Sequence, residues 1–268
     1  MIALEFDQVT RDFTTPDGLG YRALDDISLS IDAGSFVAIV GPSGCGKSTL
    51  LNIAAGLLMP SSGVVRVDGV PLSGLNRRAT YMFQQDALLP WKSVRENVAL
   101  GLTLGGVVKT DAHARADAWL GRVGLSAFAD HYPSQLSGGM RKRVVMAQNW
   151  IIDRGILLMD EPFSALDVHT RLRMETELLE LWEEGLNKTI VFVTHDLEEA
   201  IALADEVVVL SAGPAARIVA RHPVTLDRPR DLLELRTTPA FIDLYRAIWA
   251  VLKEEVVKSQ RAVGHGTA

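Results

Sequence analysis

The spacing of hydrophobic residues changes several times along this chain. In the N-terminal part they alternate with polar residues, so that Ile27, Leu29 and Ile31 would lie on one face of a strand. Such alternation is typical of an antiparallel strand with one exposed face. The segment SFVAIVG (35–41) is apolar on both faces, which predicts a buried parallel strand, and an apolar helix follows it directly.

The period of two disappears between Ser93 and Ile152. Ser93 and Glu96 have the spacing of a capping box, and Ser137 stands where it would cap a later helix. This stretch therefore predicts a helical subdomain inserted between two groups of strands. Apolar residues at helical spacing within it are Ala116, Trp119, Leu120 and Val123.

Strands return in ILLMD (156–160), TIVFVTH (189–195) and EVVVL (206–210), with helices between them. Strand and helix in alternation predict a parallel sheet covered on both faces. Asp196 and Glu199 have the spacing of a second capping box. The remaining predicted strands are Val65–Val67, Ala79–Phe83 and an edge hairpin at RIVAR (217–221).

A proline-bearing linker (222–230) leads to a C-terminal helix with one apolar stripe. We expect this stripe to pack against the body of the chain, and we expect the last residues, 259–268, to be disordered. The stripe consists of Phe241, Leu244, Tyr245, Ile248, Trp249 and Leu252.

Composition narrows the class of protein. With 268 residues, 48% of them hydrophobic, the chain can bury a large core. A net charge of −6 without a run of Lys and Arg argues against nucleic acid as a partner. One cysteine, Cys45, excludes an intramolecular disulfide and fits a reducing compartment. The sequence has no basic secretory signal and no stretch approaching roughly 18 apolar residues, so we expect a cytoplasmic location.

The segment Gly41–Ser48 fits the phosphate-binding P-loop pattern, between a buried strand and a helix. Lys47 would reach the β- and γ-phosphates, and the Ser48 hydroxyl would ligate Mg²⁺. An ordinary glycine turn is the alternative, but a chance match has a probability on the order of one per cent. The expected phosphate-binding residues are Gly41, Pro42, Ser43, Gly44, Cys45, Gly46, Lys47, Ser48 and Thr49.

Four polar residues would reach the same edge of the sheet. Asp160 ends an apolar strand and would supply a carboxylate to Mg²⁺, and Glu161 would polarise an attacking water. His195 ends the next strand and would donate to the γ-phosphate, although a single histidine is more often structural. Gln84 would touch Mg²⁺ or the water. The predicted metal ligands are thus Ser48, Gln84 and Asp160, and the predicted catalytic residues Glu161, His195, Gln84 and Lys47.

LSGGM (136–140) is a second candidate anion site. Ser137, Gly138 and Gly139 open a predicted helix, where free backbone N–H groups favour a phosphate. Because the chain already has a complete P-loop, the residues alone do not indicate which phosphate the second site would bind.

In this order, GPSGCGKST, Gln84, LSGGM, ILLMDEPFSALD and His195 resemble the motifs of the ATP-binding subunit of an ABC transporter. The resemblance implies an α/β fold: a RecA-like P-loop NTPase core with a parallel sheet, an N-terminal antiparallel β part and an inserted helical subdomain. The boundaries it implies are a nucleotide-binding domain at 1–222 (core 1–87 and 156–222, helical subdomain 88–155), a C-terminal helical extension at 223–258 and a tail at 259–268.

The resemblance also implies roles. SALD (164–167) corresponds to the D-loop at the subunit boundary, and Phe13 to the aromatic residue that stacks on adenine, with Tyr21 as the alternative. Two subunits would meet head to tail, so that each LSGGM closes over the ATP held by the other. Hydrolysis would then let the dimer open.

A narrower resemblance concerns DALLPWKSVRENVALGL (86–102) and the segment 218–249, which are similar to importer ATPases of the nitrate, sulfonate, taurine and bicarbonate group. It implies that Leu88, Leu89 and Trp91 lie where a membrane subunit docks, although Trp91 is a core residue in the competing interpretation. The chain departs from the family at Lys142, where Gln is frequent, and in Gln148-Asn149-Trp150, which replaces a usual Arg.

These features together predict an ATPase that binds ATP and Mg²⁺, forms a homodimer through ATP, and drives an importer from the inner face of the cell membrane. Integral membrane permease subunits and, indirectly, a solute-binding protein are the expected partners, and nucleic acid is not. The alternatives are a soluble ABC ATPase outside transport and a nucleotide-binding regulator without turnover. The solute stays open among nitrate, an alkanesulfonate, taurine, bicarbonate and a pyrimidine precursor.

Overall fold

The computed structural model describes residues 1–14, 18, 20–186 and 188–264. The strands are β1 (Ile2–Thr14), β2 (Gly20–Asp32), β3 (Phe36–Val40), β4 (Ser62–Val67), β5 (Val70–Pro71), β6 (Ala79–Met82), β7 (Ile156–Asp160), β8 (Thr189–Val193), β9 (Glu206–Leu210) and β10 (Ile218–Pro223). The α-helices are α1 (Lys47–Ala54), α2 (Val94–Leu104), α3 (Lys109–Arg122), α4 (Gly138–Trp150), α5 (Val168–Leu181), α6 (Leu197–Leu203), α7 (Leu232–Leu235) and α8 (Pro239–Gly264). A π-helical turn, Trp182–Leu186, extends α5.

The continuous apolar strands form the centre of a six-stranded sheet with the order β10-β9-β3-β8-β7-β6. Neighbouring strands in it are parallel, except that β10 pairs antiparallel with β9 at the edge. Every residue of β3 and β8 is buried, as expected for strands covered on both faces. The prediction of an α/β fold with a parallel core is confirmed.

The alternating segment forms part of a separate antiparallel sheet with the order β2-β1-β4-β5. Ile27, Leu29 and Ile31 are buried, whereas the polar residues between them are exposed. The buried face shares one apolar cluster with α1 and the parallel sheet, so the two sheets enclose a common core. The predicted antiparallel part is therefore present.

Helices α2, α3 and α4 lie between β6 and β7 and have an apolar cluster of their own. The capping box at the start of α2 is complete: Ser93 Oγ accepts from Glu96 N at 3.2 Å, and Glu96 Oε2 accepts from Ser93 N at 3.0 Å. The bond from the Ser93 backbone holds the pKa of Glu96 below its usual value. Local capping and a local core both stabilise this part of the chain.

The second predicted capping box is only half formed. Asp196 Oδ1 accepts from Glu198 N at 2.9 Å and from Glu199 N at 3.3 Å, so the aspartate caps α6 as predicted. The Glu199 carboxylate does not return the bond, because it accepts from Thr194 Oγ1 at 2.8 Å instead. Glu199 is therefore a buried structural carboxylate rather than a capping residue.

The C-terminal helix α8 packs against α6, β9 and β10. Phe241, Ile248 and Leu252 of its stripe are buried, whereas Trp249 is 41% exposed. Helix α8 continues to Gly264, beyond the expected start of the tail at residue 259, and extending a formed helix adds one hydrogen bond for each residue fixed. The disordered tail stays a prediction. Residues 265–268 lie outside the described residues. Within the described ranges, no helix is both long and apolar enough to cross a membrane.

Candidate functional site

Parallel pairing brings the candidate residues to one edge of the sheet. The P-loop follows β3, Asp160 ends β7, and Glu161 and His195 lie just beyond the ends of β7 and β8. Gln84 follows β6, which pairs with β7. The carboxyl edge of an open parallel sheet is where α/β proteins bind their ligands.

The P-loop wraps around the Lys47 ammonium. Lys47 is 6% exposed, and its Nζ donates to the carbonyl oxygens of Gly41 at 2.9 Å and Pro42 at 3.1 Å. Gly46 precedes α1 with a φ of 100°, a conformation that favours glycine, and a Cβ there would also displace the Leu24 side chain, whose Cδ2 would lie 2.8 Å away.

The single thiol of the P-loop faces inward. Cys45 is 1% exposed, and burial raises its pKa, so the thiolate is disfavoured in the folded chain. Its sulfur fills the space beside Gly41, where a Cβ would approach Cys45 Sγ to 2.8 Å. Cys45 therefore packs the loop from behind rather than presenting its side chain to a ligand.

A pocket of about 280 Å³ lies in front of the loop. Phe13 and Tyr21, the two candidate adenine-stacking residues, are cross-strand partners in β1 and β2, and both line this pocket. The Arg11 guanidinium carbon lies 4.5 Å from the Phe13 ring centroid and covers one face of that ring. Both predicted candidates thus reach the pocket, and the choice between them stays open. The other lining residues are Ala23, Ser43, Gly44, Gly46, Lys47, Ser48, Thr49 and Glu161.

Ser48 and Asp160 meet at the predicted metal position. Ser48 Oγ donates to Asp160 Oδ1 at 2.9 Å, and the Tyr81 hydroxyl donates to Asp160 Oδ2 at 3.3 Å. Burial raises the pKa of the Asp160 carboxyl. The pKa of the Tyr81 hydroxyl is also raised, first by burial and then by the nearby charge of Asp160. A hydroxyl and a carboxylate oxygen side by side fit the preference of Mg²⁺ for hard oxygen ligands. Tyr81 was not a predicted site residue, because a tyrosine in a strand gives no sign of its partner.

The Glu161 carboxylate contacts two other predicted catalytic residues, Gln84 and His195. Glu161 Oε2 accepts from Gln84 Nε2 at 3.2 Å and lies 3.2 Å from His195 Nδ1. The Glu161 backbone has a φ of 44°, and its N–H donates to the Val193 carbonyl at 2.9 Å. A non-glycine residue in the left-handed region of backbone φ/ψ space is conformationally strained, and such residues cluster at functional sites. The Gln84 amide nitrogen is directed to Glu161 and to Ser164 Oγ, at 3.4 Å.

The signature segment LSGGM lies elsewhere on the chain. Ser137 caps α4 by accepting from Met140 N at 3.3 Å, and Ser137 and Gly138 are exposed. A Cβ on Gly139 would lie 2.8 Å from Thr170 Cγ2, so close packing against α5 favours glycine at this position. None of the described residues that line the P-loop pocket belongs to LSGGM. Within the described residues, the second candidate anion site therefore does not complete the P-loop pocket.

A family model described as ABC transporter matches residues 24–164, which include the P-loop, the signature segment and Glu161. The chain belongs to the ABC transporter family of ATP-binding proteins. It is similar to the taurine import ATP-binding protein TauB of Yersinia pestis, with 48% identity over 195 residues, or 73% of this chain and 76% of that protein.

Two further relatives support the family membership of this ABC protein. The nitrate import ATP-binding protein NrtC of Synechococcus elongatus is 41% identical over 95% of this chain and 39% of that longer protein. A solved structure, the dimeric ATP-binding cassette MJ0796 in a post-hydrolysis state with ADP and Pi, has a TM-score of 0.72 and 33% identity, covering 84% of this chain and 100% of that chain. The predicted family and the predicted fold class are confirmed.

A network of charged residues around the buried Glu175 and Glu199 supports the His195 segment of this ABC protein and was missed from the sequence. Arg171 Nη1 donates to Asp196 Oδ2 at 2.9 Å and joins α5 to the start of α6. Arg236 Nη2 donates to the buried Glu175 at 2.6 Å, and Glu199 lies 3.6 Å from Arg171. Burial raises the pKa of both Glu175 and Glu199 to about 7. The sequence shows these residues only as charges on helices, where a solvent-exposed position is the ordinary expectation.

These raised pKa values predict a pH-dependent stability. In the folded chain Glu199 binds its proton up to about pH 7, whereas in the unfolded chain its pKa is near 4.5, so the free energy of unfolding falls as pH rises between these values and levels off above them. Glu199→Gln keeps the side chain neutral at all pH values. We expect its stability relative to the parent to rise by about 1 to 3 kcal/mol between pH 5 and pH 8.

Urea unfolding at a series of pH values measures this difference. The matched control is Glu180→Gln on the exposed side of α5, for which the difference from the parent should stay constant across the same range. A constant difference for Glu199→Gln as well would show that its carboxyl titrates normally.

Proposed function

We propose that this protein is the ATP-hydrolysing subunit of an ABC importer, which dimerises on MgATP and drives uptake of a small anion through separate membrane subunits. The observation that carries the catalytic part is the contact of Glu161 with both Gln84 and His195, beside the Ser48–Asp160 pair. A carboxylate in this position can orient a water molecule toward the terminal phosphate of a nucleotide in the P-loop.

The reaction needs three kinds of group, and the site offers each of them. Glu161 would accept a hydrogen bond from the attacking water, whose oxygen forms a bond to the γ-phosphorus while the bond from that phosphorus to the β–γ bridging oxygen breaks. His195 and Gln84 would hold the water and the carboxylate in line. Lys47 would stabilise the charge on the phosphates, and bound Mg²⁺, held by Ser48 and Asp160, would neutralise part of it.

Replacement of Glu161 tests the catalytic role. Glu161→Gln should retain ATP binding, because the P-loop is unchanged, and should lose turnover by roughly a hundredfold or more, the usual effect of a positioned base. Phosphate release measures the rate, and gel filtration with ATP should show a trapped dimer.

Glu180→Gln is the control, since this exposed glutamate lies on α5 outside the site. Phosphate release by Glu161→Gln at the parent rate would refute the role of Glu161. Absence of hydrolysis in the parent, with binding intact, would favour the regulator without turnover.

The dimer part of the proposal is supported by the position of LSGGM. Its serine and first glycine are exposed at the start of α4 and lie outside the P-loop pocket of the same chain. Helix N-termini attract phosphate, so a second subunit placed head to tail would bring Ser137, Gly138 and Gly139 to the γ-phosphate of the bound ATP. The dimeric cassette with 33% identity supports such an assembly.

Mixed dimers test this arrangement. Lys47→Ala removes the phosphate contact of the P-loop, and Ser137→Arg disrupts LSGGM, so each homodimer should be inactive. In a mixed dimer, one composite site combines an intact P-loop with an intact LSGGM. That dimer should recover ATP-dependent association, which analytical ultracentrifugation measures. If two folded variants fail to associate with ATP after mixing, the head-to-tail model is wrong.

The importer part is supported by an apolar groove between the parallel sheet and the helical part of the chain. The groove has a volume of about 400 Å³. Its lining includes four side chains that are each more than 40% exposed, Leu57, Leu75, Phe83 and Leu104. A contiguous exposed apolar surface of this kind marks an interaction site. The relatives named for nitrate and taurine import support a small solute that carries an oxoanion group, nitrate or a sulfonate.

The predicted docking residues lie in different surroundings. Leu88 is partly buried and packs against two apolar clusters, and Leu89 is half-buried. Trp91 is 71% exposed, which excludes its interpretation as a core residue, but it does not line the groove. Gln148 and Asn149, the departures from the family pattern, do line it, and Asn149 Nδ2 also donates to the Val145 carbonyl at 2.9 Å. We propose that the groove, rather than Leu88 and Leu89, receives the membrane subunit.

A charge placed in the groove tests this docking. Leu104 is 80% exposed at the end of α2, so Leu104→Glu should fold normally and bind ATP, yet lose membrane association because the carboxylate would be desolvated on docking. Leu233→Glu is the matched control, since Leu233 is 69% exposed on α7. The measurement is the share of the chain in the membrane fraction of cells that also produce its permease. Equal shares for both variants would exclude the groove.

A further inference from the structure

The helix that begins with LSGGM contacts the Gln84 loop through a buried lysine. Lys142 is 3% exposed, and its Nζ donates to the main-chain carbonyl of Gln84 at 2.8 Å. The same ammonium lies 3.0 Å from Asp86 Oδ1. A hydrogen bond from a buried charged donor is short and strong, and its loss would leave buried polar groups unsatisfied. Lys142 therefore fixes the Gln84 main chain to α4.

A neighbouring arginine strengthens the same connection. Arg141 Nε donates to Asp86 Oδ2 at 3.2 Å, and Arg141 Nη1 donates to the Leu136 carbonyl at 2.8 Å. Asp86 thus lies between two cations of α4, one of which also holds the first residue of LSGGM. Two successive residues of one helix consequently connect the signature segment to the loop after β6.

The connection continues to the candidate catalytic carboxylate. The main chain of Gln84 is held by Lys142, and its side-chain amide donates to Glu161 at 3.2 Å. The direction of a short side chain depends on the backbone that carries it. A shift of α4 relative to the sheet would therefore change where the Gln84 amide meets Glu161.

We propose that Lys142 is a positioning residue, which couples the orientation of α4, the helix that begins with LSGGM, to the Gln84–Glu161 contact in the same chain. The proposal rests on the proposed catalytic role of Glu161 and extends it. Because LSGGM would bind the nucleotide of the partner subunit, Lys142 transmits the occupancy of one ATP site to the catalytic carboxylate of the other. Lysine at this position, where the family frequently has glutamine, both donates to the Gln84 carbonyl and forms an ion pair with Asp86.

A second buried lysine provides a matched control. Lys188 is 5% exposed, and its Nζ donates to the carbonyl oxygens of Ile152 at 3.0 Å and Arg154 at 2.7 Å. It lies before β8, at the end of the sheet opposite to Glu161. Lys188 therefore has the burial and the hydrogen bonds of Lys142 without the connection to Gln84.

The first experiment compares Lys142→Met, Lys142→Gln and Lys188→Met in phosphate-release kinetics. Lys142→Met should lower kcat about tenfold with KM for ATP within about twofold, because the contact acts on the catalytic carboxylate rather than on the P-loop. Lys142→Gln restores a neutral donor and should retain kcat within about twofold of the parent. Lys188→Met should lower the unfolding temperature but not kcat.

A double variant tests whether Lys142 acts through Gln84. Gln84→Ala removes the amide that Lys142 positions, so adding Lys142→Met to it should cause no further loss of kcat. Additive losses would show that Lys142 acts by another route and would overturn the proposal. Equal kcat for Lys142→Met and Lys142→Gln, with both folded, would overturn it as well.

A measurement without hydrolysis separates this proposal from the proposed function. Amide hydrogen exchange of the peptide that contains Gln84 and Asp86 should be faster in Lys142→Met, and unchanged in Lys142→Gln and Lys188→Met. Unchanged exchange in Lys142→Met would refute the positioning role even if the parent hydrolyses ATP. If exchange is faster in Lys142→Met but the parent does not hydrolyse ATP, the contact between Lys142 and the Gln84 loop is supported and the proposed function is refuted.

Discussion

The parallel pairing of β3, β8 and β7 is the constraint on which the site depends. Parallel strands end at the same edge, so the strands, rather than the contacts between the side chains, bring residues that are far apart in the sequence together there. Ser48 meets Asp160, and Glu161 meets His195, only because these strands are in register. The strands are fixed by burial on both faces, which is far stronger in total than the few polar contacts at the edge.

This dependence explains why so much could be predicted from the sequence. Buried strands are recognisable as apolar runs, and Asp160, Glu161 and His195 end such a run or follow it closely, so the pattern indicated both the element and the edge for these residues. The P-loop carries its own backbone requirement, since Gly46 is both left-handed and closely packed. The left-handed conformation of Glu161 could not be predicted, because residue 161 is not a glycine and the partner of its backbone N–H, the Val193 carbonyl, is distant in the sequence.

Polar residues that act through tertiary partners were the ones missed or misplaced. Glu199 has the sequence spacing of a capping box, but a hydroxyl on the preceding loop competes successfully for its carboxylate. The sequence does not indicate the partners of Tyr81 and Lys142, although Lys142 departs from the family pattern, because these partners lie more than fifty residues away along the chain. For Trp91 the sequence left a docking and a core position open; the side chain is exposed, and its position relative to the groove depends on packing that spacing does not describe.

Helix α4 connects three surfaces that the sequence presents as separate motifs. Its N-terminus exposes Ser137, its middle contacts the Gln84 loop through Lys142, and its last turns place Gln148 and Asn149 on the apolar groove. A helix moves largely as a rigid body, because its backbone hydrogen bonds resist local bending. Movement of the groove wall by a docked partner would therefore also move the Gln84 contact and the signature segment. Under the proposed roles of LSGGM, the groove and Glu161, nucleotide, membrane partner and carboxylate would be linked through this one helix, and their coupling would act in both directions, since linked binding equilibria are reciprocal.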